Sequence, residues 1–303
     1  MTVRYSAMKR REAVAFYTCI SPWIVGFIVF SAGPILASLI LSFAEYSITS
    51  PPVFAGLANY RLMFAGDPLF WHSLKVTMIY TFGAVPLGLV LSLTVAVMLN
   101  QKLPGLSLWR VMYCLPNVVS GVAVALLWTI IFNKQFGLLN WLLYKALHIT
   151  GPGWISSKQW VLPSFVVMSL WGVGGPMVLY LAALQGVPTD LYEAGQIDGA
   201  GSWRRFASIT LPMISPTVLF NVVTAVIATF QTFTSAYVMT NGGPQNASLF
   251  YGLYLYRNAF RYFKMGYAAA MAWVLFTLIL IVTFVLLRSS SFWVYYETGG
   301  KGM

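Results

Sequence analysis

Six stretches of this chain are long and apolar enough to cross a bilayer, and none of them contains an Asp, Glu, Lys, Arg or His. They cover residues 13–43, 76–99, 111–132, 161–184, 214–238 and 268–287. About 20 apolar residues in a helix span roughly 30 Å of hydrocarbon. In lipid, every backbone polar group must be satisfied internally, which a helix does by itself. The expected fold class is therefore an all-α integral membrane protein with six transmembrane helices. Composition agrees, with 59% hydrophobic and only 8% charged residues. A soluble domain is typically about 25% charged, and a disordered chain needs low hydrophobicity with high net charge.

The first stretch exceeds the apolar core of about 7–15 residues of a signal peptide and ends at no clear small-residue cleavage site, so it reads as an uncleaved anchor. Arg4, Lys9, Arg10 and Arg11 are expected to hold the N-terminus in the cytoplasm. Six crossings then return the C-terminus to the same side. The expected organisation is a cytoplasmic tail at 1–12, a six-helix domain at 13–287 and a cytoplasmic tail at 288–303. The inner segments then carry ten Lys and Arg: those four with Lys102, Arg110, Arg204, Arg205, Arg288 and Lys301; the outer segments carry eight. The net charge of +11 is scattered through loops, so no nucleic-acid partner is expected. Cys19 and Cys114 lie inside apolar segments and read as packing residues, without disulfide or metal spacing.

Three outer loops are substantial. Residues 45–73 contain Pro51-Pro52, Asp67-Pro68 and Trp71. Residues 133–160 contain Leu138 to Leu147, too short to span and suited to a helix lying at the interface. Residues 240–264 open with the turn signal Asn241-Gly242-Gly243-Pro244. Tyr and Trp near these ends suit interfacial anchoring.

Lys75 and Arg110 sit only at span entrances. The lack of intramembrane ionisable groups argues against proton coupling, although sodium coupling through backbone carbonyls stays open. Interruptions stand out instead: Pro22, Pro34, Pro86, Pro116 and the run Trp171-Gly172-Val173-Gly174-Gly175-Pro176. The small residues Gly172, Gly174 and Gly175 suit close packing. In the fifth stretch, helical periodicity puts Asn221, Thr224, Gln231, Thr232 and Ser235 on one face with Ala228, and points Thr229 and Thr234 elsewhere. That stripe either lines a path for a polar, uncharged substrate, with Trp171 to stack on a sugar ring, or bonds the bundle together.

Between the fourth and fifth stretches lies residues 188–212, which contains charged residues. Thr189 is expected to cap a short helix with Asp190 and Glu193 at its positive end. Asp198-Gly199 ends that helix, Ser202 starts a second one carrying Arg204 and Arg205, and Pro212 marks entry to the next span. Leu191, Ala194, Gly195, Gly199 and Ala200 would let another protein approach the backbone closely, or belong to an ordinary amphipathic loop.

This loop resembles the EAA loop of permeases in binding-protein-dependent ABC importers. The matching residues are Glu193-Ala194-Gly195, Asp198-Gly199-Ala200 and Ile209-Thr210-Leu211-Pro212, at the family's spacing and with Gly195 in place of the usual second Ala. Gly137-Leu138-Leu139-Asn140 and Tyr237 to Pro244 are similar to segments of the carbohydrate-type group, which includes maltose and glycerol-3-phosphate importer subunits. The chain departs at Phe233-Thr234, where that group often has Phe-Asp.

The resemblance implies a type I importer permease fold and a division of labour. A second, homologous permease would share one translocation path. A dimeric ABC ATPase would dock on the loop at Leu191, Glu193, Ala194, Gly195, Asp198, Gly199 and Ala200, with Glu193 against a basic groove. An extracytoplasmic solute-binding protein would deliver a sugar, from outside a prokaryotic membrane. ATP and magnesium would be held by the ATPase. The chain itself offers no phosphate loop: its one Gly-Lys pair, Gly300-Lys301, precedes Gly302. No catalytic or metal-ligating set is expected, and His72 and His148 read as solvated or interfacial. A glycerol-phosphate permease and a stand-alone secondary transporter are the alternatives. A membrane enzyme would want an acidic or histidine cluster outside the loop just described.

Overall fold

The computed structural model describes residues 2–101 and 105–295, with side chains from residue 8. Arg4, Lys102 and Lys301, which enter the charge argument above, have side chains outside the described residues. Four helical runs are long and apolar enough to cross a membrane: Met8–Ser42, Pro68–Leu99, Ser215–Met239 and Met265–Phe292. Two bent pairs raise the number to six if each is one span: Leu106–Val118 with Gly121–Ile131, bent by 101°, and Val161–Leu170 with Gly174–Gln185, bent by 44°.

The chain divides into two compact units. One comprises residues 1–66 and 257–274. Its α1 (Thr2–Phe27) passes through a π-helical turn at Ile28–Ala32 into α2 (Gly33–Ser42). Pro34 has no N–H to continue the ladder, and the widened turn lets the Gly33 N–H bond the Ile28 carbonyl instead. Residues 2–12, expected as a tail, are helical and continuous with α1. Beyond α2 an antiparallel hairpin, β1 (Ala44–Ser47) and β2 (Ser50–Phe54), pairs Ala44 with Phe54 and Glu45 with Val53. Pro51 and Pro52 fit β2 because they fall at the register irregularity between the Glu45–Val53 and Ser47–Ser50 pairs, where the ladder is interrupted. In α3 (Ala58–Arg61), Asn59 Nδ2 donates to the Ser42 and Ala44 carbonyls at 2.9 Å each. Residues 265–274 of α15 (Met265–Ser289) also belong to this unit, and Trp273 Nε1 donates to Ser38 Oγ at 3.1 Å. The hairpin is a correction to the loop expected at 45–73: the prolines that argue against a central strand do not argue against an edge.

The other unit comprises residues 67–256 and 275–303. Its hub is α4 (Pro68–Leu99), capped by Asp67, whose Oδ1 accepts from the Leu69 and Phe70 N–H groups at 2.9 and 3.2 Å. Against α4 pack α8 (Val161–Leu170), α9 (Gly174–Gln185) and α13 (Ser215–Phe230). A buried cluster joins Val95, Ala96 and Leu99 of α4 to Met177, Tyr180, Leu181 and Leu184 of α9, with Val187 and Ile214, and Cys114 packs on it. A buried Leu side chain contributes about 1.5–3 kcal/mol in water. Between apolar spans in lipid, contact is held by packing and hydrogen bonds.

The 101° bend has a local cause. In α5 (Leu106–Val118), Pro116 weakens the last turn, Val119 is extended, and Ser120 Oγ caps α6 (Gly121–Ile131) by accepting from the Ala123 N–H at 3.4 Å. The 44° bend falls at Trp171–Val173, between α8 and α9. The two breaks are joined. The Asn117 amide, in the orientation that satisfies both groups, donates to the Gly172 carbonyl and accepts from the Gly175 N–H, each at 3.1 Å. A Cβ on Gly174 would lie 2.0 Å from the Tyr113 carbonyl oxygen, so only glycine admits this approach of α9 to α5.

The short helix expected over Leu138 to Leu147 is α7 (Leu138–Leu147). Asn140 organises the loop around it: Nδ2 donates to the Lys134 and Pro152 carbonyls, and Oδ1 accepts from Trp154 Nε1 at 2.6 Å. His72 Nε2 lies 2.8 Å from the Asn246 carbonyl and so has a protein partner instead of being merely solvated. In α14 (Tyr251–Tyr256) the Tyr251 N–H donates to Thr77 Oγ1 at 2.9 Å, and burial raises the Tyr251 phenol above its ordinary pKa.

Candidate functional site

Two features of the second unit are candidates. The first is the segment 188–212. Helix α10 covers Thr189–Ile197. One capping expectation is corrected: Pro188 takes the N-cap position and Thr189 the first helical one, where its Oγ1 donates to Asp190 Oδ1 at 3.4 Å. Ser202 starts α11 (Ser202–Arg205), which carries Arg204 and Arg205 as expected, after Gly201 at the N-cap. The Val187-Pro188 bond sets the direction of entry, and the first N–H groups of α10 have no side-chain cap.

The stop falls where Asp198-Gly199 places it. Gly199 has φ +72°, its N–H donates to the Gln196 carbonyl at 3.0 Å, and the Ala200 N–H donates to the Gly195 carbonyl at 2.8 Å. These two bonds satisfy carbonyls that a helix end otherwise orphans, and they need a residue tolerant of left-handed backbone. The Asp-Gly-Ala sequence thus encodes a glycine stop.

The chain returns through α11, a π-helical turn at Phe206–Thr210 and α12 (Leu211–Met213) into α13. Pro212 again follows a widened turn, in which the Leu211 N–H reaches the Phe206 carbonyl. Tyr192 and Ile209 pack on the α4–α9 core, and the Tyr192 hydroxyl lies 2.9 Å from Thr210 Oγ1. Glu193, Ala194, Asp198 and Gly199 are exposed, Leu191 is 40% exposed, and Ala200 is half-buried. Gly195 faces its own chain: a Cβ there would meet Ile209 Cδ1 at 3.1 Å and Arg205 Cγ at 3.5 Å. Its smallness serves the return segment. Two exposed apolar residues escaped the sequence argument, Ile197 at 87% and Trp203 at 79%. A period of three from Leu191 through Ala194 to Ile197 was the available signal.

The second feature is a cavity of about 290 Å³ between α4, the α8–α9 break and the end of α13. Its polar lining is Tyr80, Ser169, Thr229 and Thr232; Gly88, Pro176 and Ala228 line it among small and apolar neighbours. The Tyr80 hydroxyl interacts with Ser169 and Thr232. No charged side chain lines it among the described residues.

Of the residues expected on the path, Thr232 lines this cavity. The single-face stripe is corrected, because α13 ends at Phe230 and Gln231 is its C-cap. Helical spacing therefore does not carry from Thr224 to Ser235, and Thr229, expected to point away, lines the cavity. Asn221 is 2% exposed and meets the Tyr180 hydroxyl. Thr224 is exposed, but its hydroxyl bonds the Phe220 carbonyl of its own helix at 2.9 Å. Gln231 is exposed and Ser235 half-buried. Trp171 stands edge-on to Trp128, ring centroids 6.1 Å apart. At the departure Phe233-Thr234, the Phe233 ring stacks on Tyr237 at 5.5 Å and meets Tyr256 at 4.9 Å.

Broken apolar helices around an uncharged cavity, with a short exposed helix carried between two of them, have the build of a transport subunit. The same fold is found in a solved bacterial alginate ABC transporter in complex with an alginate pentasaccharide-bound periplasmic protein. The TM-score is 0.81 at 20% identity, covering 94% of this chain and 96% of that one. Residues 84–290 match the family described as the binding-protein-dependent transport system inner membrane component, and the chain belongs to that family. It is 41% identical to the probable ABC transporter permease protein YesP of Bacillus subtilis, over 95% of this chain and 94% of that one. It is 36% identical to the lactose transport system permease protein LacF of Rhizobium radiobacter, over 94% and 96% of the two chains.

Proposed function

We propose that the chain is one permease subunit of an ATP-driven importer for an uncharged sugar or oligosaccharide. In this reading each bent pair is one span, giving six, with both termini in the cytoplasm and segment 188–212 on the cytoplasmic face. A second permease completes the path, a solute-binding protein delivers substrate, and two ATPase subunits bind ATP and magnesium. The chain then catalyses nothing itself. The sugar assignment is supported by the lactose permease relative and by a cavity whose polar groups are hydroxyls. A lining without Lys or Arg suits a neutral substrate better than a phosphorylated one.

The observation that carries the coupling role is the build of α10. It is fixed from behind by Tyr192, Gly195 and the return segment, while Leu191, Glu193, Ala194 and Ile197 are left outward. A helix held from behind, whose outward face has no partner among the described residues, transmits displacement instead of absorbing it. Coupling needs two states biased by both sites: ATP-driven closure would move α10, and α10 would move α4, α9 and α13 around the cavity.

Co-purification tests this. Membranes of the native host carrying tagged chain are expected to yield an ATPase and a second permease, and Glu193→Lys is expected to lose the ATPase while keeping the permease. Recovery of the chain alone would sink the importer reading, and an ATPase indifferent to Glu193→Lys would move the docking site elsewhere.

A further inference from the structure

Behind α10 lies a second cavity, of about 310 Å³, open to the surface and lined by the end of α4, α9, α10 and the return segment. Its polar wall is Asn100, Gln101, Tyr192, Ser202, Arg205 and Thr210, with no carboxylate among the described lining residues. Arg205 is its one charged group. The Arg205 stem packs on Gly195, its Nε is buried, and the guanidinium has no hydrogen bond or ion pair among the described residues. Asp190, Glu193 and Asp198 lie exposed on the neighbouring helix and do not pair with it. The exposed side chains of Asn100, Gln101 and Ser202 stand at the mouth of the cavity and make no hydrogen bond among the described residues, so they are free to meet a ligand there.

A half-buried guanidinium without a counter-ion carries a desolvation cost that an anion would offset. Planar donors in a fixed fork favour carboxylate or phosphate, and amides and hydroxyls complete a shell for a group with several acceptor oxygens. The negative end of α4 would repel such a group, but Arg110 Nη2 donates to the Leu99 carbonyl there at 3.4 Å.

We propose that this cavity binds a phosphate group, held by Arg205 with Ser202, Asn100 and Gln101. The group would bridge α4 to the return segment and so restrain α10 against the core. Its regulatory meaning rests on the coupling role proposed above; the binding itself does not. Phosphate chemistry is supplied by an anionic lipid headgroup at the membrane surface or by a soluble phosphate.

Hydrogen exchange of the purified full chain in phosphatidylcholine nanodiscs tests the site without any ATPase, so its outcome is independent of the co-purification. The probes, added separately, are inorganic phosphate and phosphatidylglycerol in the disc. At least one is expected to slow amide exchange over 189–210 by roughly threefold. Arg205→Gln is expected to abolish the slowing, and Arg204→Gln, on the exposed neighbour, to keep it. Slowing by phosphatidylglycerol alone assigns a headgroup, and slowing by phosphate alone a soluble ligand; either supports the site. No slowing with either probe, or equal slowing in Arg205→Gln, overturns it. If Arg205→Gln does not fold, the wild type decides. Protection confined to 189–210 supports the site, and equal protection over residues 133–150, which carry Lys134 and Lys145, shows a non-specific effect and overturns it.

Discussion

The Tyr192 hydroxyl lies 2.9 Å from Thr210 Oγ1, tying the middle of α10 to the residue that leads into α13. Thr210 is 5% exposed, so the bond is shielded from water on one side. Tyr192→Phe removes one partner and leaves a buried hydroxyl unpaired, at a cost of about 1–3 kcal/mol. Amide exchange over 189–197 is expected to quicken while exchange over α4 does not. Unchanged exchange in α10 would show that the contact carries no restraint.

Gly199 sits at φ +72° with open space where a Cβ would stand. Gly199→Ala therefore costs only backbone strain, about 1–2 kcal/mol. Gly199→Asn is expected to cost less, because Asn tolerates left-handed backbone. Exchange at residues 195–200 and ATP-driven uptake are expected to rank glycine, then asparagine, then alanine. Equal behaviour of Ala and Asn would contradict a conformational origin.

Gly174 tests packing of the opposite kind. Its Cβ would stand 2.0 Å from the Tyr113 carbonyl, a backbone atom that cannot rotate away. Gly174→Ala is expected to destabilise by at least about 1–3 kcal/mol, read as a lower melting temperature in detergent. Gly88→Ala, inside α4 with nothing within 4 Å, is expected to melt no lower than wild type.

Because Gly88 lines the cavity between α4 and α13, Gly88→Phe places a ring in about 290 Å³ of open volume. Substrate uptake is expected to fall by at least about tenfold, with assembly with the ATPase intact. Full uptake in Gly88→Phe would remove this cavity from the path.

Asn117→Ala deletes the two 3.1 Å bonds that join the break after α5 to the break after α8. The Gly172 carbonyl and Gly175 N–H then need other partners at membrane depth, costing about 1–3 kcal/mol. The expected signature is faster exchange around 172–176, and Asn117→Asp is expected to rescue only the bond it accepts.

Much of this protein was legible in the chain. Apolar length sets helices wherever backbone groups must be satisfied without water; four stretches form long helical runs and two are bent helix pairs. The Asp198-Gly199-Ala200 stop was readable because a left-handed glycine is a local requirement. The hairpin at 44–54 was not, since a two-stranded sheet asks for pairing between segments whose prolines read as loop.

The division follows the range of the interactions. Hydrophobicity, capping and glycine stops act within a few residues, so sequence alone determined the membrane class, the helix stretches and the end of α10. Which face a residue shows depends on where a helix breaks and what packs behind it. Only tertiary structure ended α13 at Phe230, turned Thr229 and Thr232 toward one cavity, and buried Asn221 beside Tyr180. It also set Gly195 against Ile209 and left Ile197 and Trp203 outside, because packing distributes the two sides of a helix among neighbours far apart in the chain.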